Sequence, residues 1–300
     1  MSAESISVVH QLLSHAIDYA GLFPPAGLDM TQAVANYAGY ARGTDAWALG
    51  RFVVPVARLD QFESEAGNYF SENIGGPVWR LNALAGDDVG RDCARISEFN
   101  REHQSSIRVE AVELKAGSMQ EIVSAAGNIP NIREVYFEIP IHSDPRELIG
   151  AIARVGARAK VRTGGITSDA FPASGDLARF IETCVKENVV FKATAGLHHA
   201  VRSRYPLNYE HNSPVGMMYG FLNVTLASAF ILRGMTQKKT IEVLEESSAQ
   251  AFHFDNDGVT WRGNSASLAD LIAMRRRVAA SFGSCSFREP IDELRQLHLL

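Results

Sequence analysis

The chain has 300 residues, of which 46% are hydrophobic and 21% are charged, and these values are typical of a folded globular protein. Its formal net charge of −5 offers no basic surface for nucleic acid or for an anionic membrane. No apolar run reaches the ~18 residues that a membrane span needs. We therefore expect neither nucleic acid nor a membrane as a partner, but a small molecule.

The start of the chain, "MSAESISVVHQLLSHAIDYAG", lacks the basic segment and the long apolar core of a signal peptide and is typical of a short helix. The three cysteines (Cys93, Cys184 and Cys285) are odd in number and do not have the spacing of metal ligands. Such a set suits a reducing compartment. The sequence therefore predicts a cytoplasmic protein.

Short apolar runs that are typical of strands recur along the chain, with helical patterns between them. Six runs are strong, namely residues 51–59, 78–86, 107–116, 133–141, 158–166 and 189–197. Two weaker runs, 17–23 and 281–287, stand before and after them. The strong runs start roughly 25 to 31 residues apart, which is the length of one strand, one loop and one covering helix.

The segments between the runs, such as 144–156 and 174–188, place their apolar residues on one helical stripe. Strands that alternate with helices pair in parallel, because each helix carries the chain back to the same edge. Eight such units predict a single (β/α)8 TIM-barrel domain over residues 1–300. The alternative is an open doubly wound α/β sheet, although no glycine-rich phosphate fingerprint follows an early strand.

An enlarged connection, residues 198–265, separates the seventh and eighth predicted strands. It contains a polar loop (202–216), an apolar helix (221–232), a second helix (236–252) and a hairpin (253–263) that turns at "NDG". The apolar helix is either buried or half of a subunit interface. The polar loop is either a lid or a dimer contact, and we expect a homo-oligomer.

Charged residues occur at the carboxyl ends of several predicted strands, where the active site of a barrel lies. They share the inward-facing register with polar neighbours. The residues are Glu113 on the fourth strand, Glu138 on the fifth, Lys160 and Arg162 on the sixth, and Lys192 and Thr194 on the seventh. Because burying an unpaired charge is costly, this set predicts a polar, mixed-charge site at the barrel mouth.

Lys192 lies inside the apolar run "VVFKATAGL". Burial there is expected to lower the pKa of its ammonium group, and a neighbouring cation such as Lys160 would lower this pKa further. A neutral amine can attack a carbonyl and form a Schiff base. Glu138, His198 or His199 would then act as the general acid and base.

Arg162 is the expected anchor for a substrate carboxylate or phosphate, because its planar guanidinium binds such groups with two hydrogen bonds. The backbone of "TGGI" and of "FGSCS" is expected to add anion-binding amides. The further predicted substrate-binding residues are Thr163, Gly164, Gly165, Thr194, Ser284 and Ser286.

The segments "FKATAG" and "KVRTGGI" resemble the lysine strands of class I aldolases of the deoxyribose-phosphate aldolase type. That family has a K-x-[ST]-x-G strand and a second lysine on an adjacent strand, and it works through a Schiff base. A match by motif makes Lys192 the nucleophile but reverses the strand order. A match by strand order makes Lys160 the nucleophile and Lys192 the activating cation. The resemblance covers these two segments only and implies an aldolase-like lyase without a cofactor.

Two other functions fit the same residues. In a metal-dependent lyase or hydrolase, a divalent metal would be bound by ligands from His198, His199, Glu138 and Glu113. Adjacent histidines on an extended segment point opposite ways, however, which disfavours their binding one ion together. The other alternative is a barrel that binds a small anion without chemistry. Cys285 is interpreted as a buried thiol, because no histidine or acid is beside it in the sequence.

Overall fold

A computed structural model describes residues 7–71, 78–103, 106–129 and 132–300. Its strands, numbered in chain order, are β1 (Ile17–Tyr19), β2 (Leu49–Pro55), β3 (Trp79–Leu84), β4 (Ile107–Lys115), β5 (Glu134–Glu138), β6 (Arg158–Arg162), β7 (Phe191–Thr194), β8 (Ser203–Pro206), β9 (Val215–Met218), β10 (Phe252–Phe254), β11 (Gly258–Trp261), β12 (Asn264–Ser267) and β13 (Ala279–Ser284). The α-helices are α1 (Val8–Leu13), α2 (Met30–Arg42), α3 (Leu59–Ser71), α4 (Val89–Glu102), α5 (Met119–Ala126), α6 (Arg146–Arg154), α7 (Ser174–Lys186), α8 (Phe221–Leu232), α9 (Gln237–Leu244), α10 (Leu268–Arg277) and α11 (Arg288–Gln296).

Eight parallel strands close into a barrel in the order β1, β13, β7, β6, β5, β4, β3, β2. The ring closes where β1 pairs with β13, with Ile17 opposite Phe282. The predicted (β/α)8 TIM barrel is therefore confirmed, and the open doubly wound alternative is wrong. All eight predicted runs, including the two weak ones, overlap a barrel strand.

The helices cover the barrel because each has an apolar stripe. In α6, for example, Leu148, Ile149 and Ile152 are buried, while the exposed residues of the helix are polar. Helix α8 differs, since its residues from Phe221 to Ile231 are all buried within this one chain. The sequence left two alternatives for this helix, a buried helix or half of a subunit interface. The first is correct, because the chain itself covers the faces of α8.

The connection between β7 and β13 is more structured than predicted. The polar loop forms an antiparallel hairpin of β8 and β9, and the predicted hairpin is formed by β10 and β11, with β12 as a third strand. The predicted helix 236–252 ends early, at Leu244. The reason is Glu246, whose carboxylate accepts hydrogen bonds from the backbone of Ser247 and Ser248 and from Trp261 Nε1, which fixes a non-helical turn.

The short helix predicted at the start of the chain is α1, and the Ser7 side chain accepts a hydrogen bond from the His10 backbone at its first turn. The first six residues of that prediction lie outside the described residues. In the described ranges, no helix combines the length and the apolar character that crossing a membrane requires.

Candidate active site

A cavity of about 230 Å³ opens at the carboxyl ends of the barrel strands. Seven of the predicted site residues line it, namely Glu113, Lys160, Arg162, Gly165, Lys192, Thr194 and His198. Phe23, from the loop after β1, and Leu207 and Met218, from the β8–β9 hairpin, cover it. Its volume is below the ~300–1,000 Å³ of pockets for drug-sized ligands, so it suits a small molecule.

Two lysines and three carboxylates form one connected cluster at the base of this cavity. Lys192 Nζ donates to Asp18 Oδ2 at 2.6 Å and lies 2.7 Å from Glu113 Oε1. Lys160 Nζ contacts the other oxygen of Glu113 and lies 2.7 Å from Glu138 Oε2. Glu113 therefore bridges the two ammonium groups, and positive and negative groups alternate through the cluster.

Neighbouring polar groups complete the hydrogen bonding of the buried carboxylates. Asp18 accepts from Ser281 Oγ at 2.9 Å and from the Arg51 backbone N–H at 2.8 Å. Asn82 Nδ2 donates to Glu113. The Tyr136 ring lies 5.5 Å from the Lys192 ammonium group, a cation–π distance. Charges this deeply buried are tolerated because each one has several partners.

The sequence-based expectation of a neutral Lys192 is wrong. Burial lowers the pKa of Lys192, but the carboxylates of Asp18 and Glu113 outweigh burial and raise this pKa above its ordinary value. The side chain is only 1% exposed, compared with 7% for Lys160 and 13% for Glu138. Lys192 is thus a fixed cation at the base of the cavity, and Lys160 is the more accessible amine.

The pKa values of the Asp18 and Glu113 carboxyl groups are shifted in the direction that a neighbouring cation favours. Burial alone would raise the pKa of each carboxyl group. Lys192 beside Asp18, and both lysines beside Glu113, hold the two pKa values below the ordinary values instead. Both carboxyl groups are therefore ionised at neutral pH.

We expect the free energy of unfolding to fall as the pH drops below about 5, because the stabilisation from a carboxyl group with a lowered folded-state pKa is complete only above its unfolded pKa of about 4 and is lost as the pH falls toward the folded-state pKa. Each of the two carboxyl groups adds a slope of up to ~1.4 kcal/mol per pH unit. The raised pKa of Lys192 acts at alkaline pH, since the stabilisation it gives is complete below the unfolded pKa of about 10.4 and is lost as the pH rises toward the raised folded-state pKa. Urea unfolding from pH 7 to pH 3 measures the acid effect. The stability difference between wild type and Glu113→Gln should shrink as the pH falls, and a constant difference would contradict this account.

The two histidines face different surroundings. His198 lines the cavity, with its Nδ1 atom 3.1 Å from Ser284 Oγ and 3.4 Å from Glu289 Oε2. His199 is not part of the cavity wall. Its ring stacks on Tyr205 with 3.4 Å between ring centroids. The structure therefore brings His198 to the site, but not His199.

Several predicted substrate-binding residues have structural contacts instead. Thr163 is buried and donates to the Ala195 carbonyl at 2.8 Å. Ser284 Oγ donates to the Ser286 carbonyl at 2.7 Å, and Ser286 Oγ accepts from the Glu289 backbone N–H at 3.2 Å, at the start of α11. None of the three lines the cavity.

Arg162 stands where the cavity meets a larger groove of about 1600 Å³, which Glu138 and Gly164 also line. Its side chain is exposed, and in the described part of the chain its guanidinium forms no ion pair. An arginine without a carboxylate partner at a cavity rim is available for the carboxylate or phosphate of a ligand.

The four residues of the alternative metal site do not come together. Glu113 and Glu138 are paired with lysines, His198 lies beside Glu289, and His199 lies 3.4 Å from Glu293. Over the ranges that the structure describes, no group of three or more histidine, cysteine, aspartate or glutamate side chains is arranged to hold a metal ion.

Four residues at the site were not predicted from the sequence: Asp18, Asn82, Ser281 and Glu289. Asp18 carried the same signal as Lys192, a charge inside an apolar strand, "IDYAGLF". Asn82 is a similar polar residue in the run 78–86, the third predicted strand. Ser281 and Glu289 are ordinary polar residues, and nothing in the local sequence marks them as parts of a site.

The fold and the cavity define a (β/α)8 barrel whose mouth contains a buried lysine–carboxylate cluster. A comparison with protein-family models gives no match to this chain, and a comparison with curated proteins gives none.

Proposed function

We propose that this protein is an aldolase-like lyase that forms or breaks a carbon–carbon bond next to the carbonyl group of a small anionic substrate. The reaction runs through a Schiff base on Lys160. Lys192 is the neighbouring cation, Glu138 the general acid and base, and Arg162 the anchor for the substrate carboxylate or phosphate.

One observation carries this proposal, namely the unequal environment of the two lysines. The Lys160 amine is on the cavity wall with the partly exposed Glu138 within 2.7 Å, so a proton acceptor is at hand. Lys192 is held by Asp18 and Glu113 as a buried cation. This difference favours the assignment by strand order, in which Lys160 is the nucleophile.

The first half of the reaction forms the Schiff base. Glu138 takes a proton from the Lys160 ammonium group, and the neutral amine attacks the substrate carbonyl carbon. A carbon–nitrogen bond forms while the electron pair of the carbonyl π bond moves to oxygen. That oxygen takes one proton from the attacking nitrogen and one from Glu138, and it leaves as water, which gives an iminium ion and returns Glu138 to a carboxylate.

The second half breaks the carbon–carbon bond. The Glu138 carboxylate removes the proton of the substrate's β-hydroxyl group. The bond between the α and β carbons breaks, its electron pair moves toward the iminium nitrogen, and an aldehyde is released. The remaining enamine takes a proton at its α carbon, and water then hydrolyses the iminium ion and frees Lys160. The charges of Lys192 and Glu113 are fixed in place before the reaction, so little reorganisation accompanies it.

Arg162 sets the expected substrate class. Its unpaired guanidinium at the rim suits a carboxylate or phosphate, and the small cavity limits the part of the substrate that reaches Lys160. The cytoplasmic location and the homo-oligomeric state stay predictions from the sequence.

Borohydride trapping tests this function. The protein is incubated with pyruvate or with dihydroxyacetone phosphate, reduced with sodium borohydride, digested and mapped by mass spectrometry. We expect a stable adduct on Lys160 with at least one of these compounds. Lactate and glycerol phosphate, which have no carbonyl group, serve as matched controls that should give none. If a panel of keto acids and sugar phosphates left every lysine unmodified, the Schiff-base function would be wrong, and binding of an anion without chemistry would replace it.

A further inference from the structure

Cys285, His198 and Glu289 form a second group of reactive side chains beside the lysine cluster. Cys285 and His198 both line the cavity. The Cys285 sulfur lies 3.8 Å from Nδ1 and 3.9 Å from Nε2 of His198, and Glu289 Oε2 lies 3.4 Å from Nδ1. The group brings together the end of β13, the turn after β7 and the first turn of α11.

This arrangement has the parts of an activated thiol, namely a nucleophile, a base and a carboxylate beside the base. Glu289 and Ser284 both contact Nδ1 of His198, and they fix the orientation of the ring. In the described residues, the Cys285 sulfur is the only hydrogen-bonding contact of Nε2. The ring can therefore take a proton from the thiol and still keep its orientation.

The groups that face this pair favour a positively charged ring. Burial lowers the pKa of His198, but its contacts with Cys285 and Glu289 raise this pKa to about 9. The Tyr209 hydroxyl, from the loop between β8 and β9, lies 3.6 Å from the Cys285 sulfur; Tyr19 on β1 also lies near Cys285, and His199 lies near Glu289. The pKa values of both tyrosines are raised, so both stay neutral near pH 7.

Within the described residues, the other two cysteines have no histidine beside the sulfur. Cys93 and Cys184 are buried on helices α4 and α7, away from the cavity, and burial raises the pKa of each thiol. Reactive cysteines lie beside a histidine or another cation and reach a cavity or solvent, whereas structural cysteines do not. Cys285 alone of the three meets both conditions.

We propose that Cys285 is a second nucleophile of this cavity, which adds to the carbonyl carbon of a small aldehyde with His198 carrying the proton. A sulfur–carbon bond forms, and the electron pair of the carbonyl π bond moves to oxygen. That oxygen takes the proton that His198 received from the thiol. The product is a thiohemiacetal, and no atom is oxidised or reduced overall. An aldehyde fits because the cavity is small and an aldehyde carbon is the least crowded carbonyl carbon. This inference goes beyond the lysine chemistry and does not depend on it.

Labelling with iodoacetamide, followed by peptide mapping, tests the reactivity of the thiol. Cys93 and Cys184 are internal controls in the same molecule, and we expect Cys285 to react at least ~10-fold faster than either. The pH dependence is the second readout: a thiol with an ordinary pKa of 8.5 loses about 75-fold in labelling rate from pH 8 to pH 6, and a thiol that passes its proton to His198 should lose much less.

The role of His198 is tested with His198→Gln, which should slow the labelling of Cys285 at pH 6 about 10-fold or more and restore the ordinary pH dependence. If this variant does not fold, the pH profile of the wild type decides. A Cys285 that reacts no faster than the two control cysteines would overturn the proposal, as would a rate that follows the ordinary profile.

The ligand class is tested by protection in the Lys160→Ala variant, in which that lysine cannot form a Schiff base. Propionaldehyde should slow the labelling of Cys285 at least several-fold, and 1-propanol, the matched alcohol, should not. Equal labelling with both compounds would overturn the assignment of an aldehyde ligand. Borohydride trapping of Lys160 in Cys285→Ala reports on the Schiff-base function separately, so the two proposals can fail independently.

Discussion

Lys160→Ala should abolish the borohydride adduct and reduce turnover on the order of a thousandfold or more, because the bond-forming amine is lost. Lys192→Met should keep the adduct on Lys160 but form it more slowly, since it removes only the neighbouring cation. Trapping kinetics and steady-state rates of the two purified variants measure both effects.

Lys186→Ala is the matched control for these lysine variants. Lys186 is an exposed lysine on α7 that pairs with Glu182 at 2.8 Å, so its loss should leave trapping and turnover unchanged. If the adduct disappeared in Lys192→Met and persisted in Lys160→Ala, the assignment of the nucleophile would have to be reversed. Circular dichroism of each variant shows whether a loss of activity is a loss of fold.

Glu113→Gln should lower the free energy of unfolding by about 3–5 kcal/mol, the usual cost of removing one partner from a buried ion pair. Glu113 is the carboxylate between the two ammonium groups, and its side chain is only 3% exposed. The substitution keeps the size of the side chain but leaves two buried cations with less compensation. Urea unfolding at pH 7 measures the change.

Glu182→Gln provides the comparison for this stability change. Glu182 belongs to the surface pair with Lys186, one helical turn apart, and such pairs contribute about 0.3–0.5 kcal/mol. A Glu113→Gln variant that was no less stable than Glu182→Gln would show that Glu113 does not pair with Lys160 and Lys192 in the core.

The fold could be predicted because its signals are local and repeated. Each of the six strong runs and its following helix carries its own pattern, and the number of units then sets the architecture. The weak run 17–23 is a barrel strand of three residues, Ile17–Tyr19, which is why its evidence in the sequence was thin. The end of α9 was missed because it depends on contacts that Glu246 makes with Trp261 and Arg262, well beyond the helix.

The site could be predicted only in part. Lys160, Lys192 and Glu138 were found because a charge inside an apolar strand is a local signal. The predicted charge state of Lys192 was wrong because the charge of this lysine depends on Asp18 and Glu113. The positions of these two carboxylates relative to the lysine follow from the closed ring. Cys285 is the buried thiol that the sequence predicts, but its contact with His198 could not be predicted, because the two residues lie 87 positions apart in the chain.

The seam between β1 and β13 has a consequence for how this protein is made. Asp18 is 174 positions before Lys192 and 263 before Ser281, so the counter-charge of the buried lysine emerges from the ribosome long before the lysine itself. As long as the two ions stay in water, neither of them bears the desolvation cost of burial. Closing the ring removes them from water together, and a fragment that stops before β13 would leave Asp18 without Ser281. The pairing of β1 with β13 that closes the ring therefore also completes the hydrogen bonding of the buried cluster.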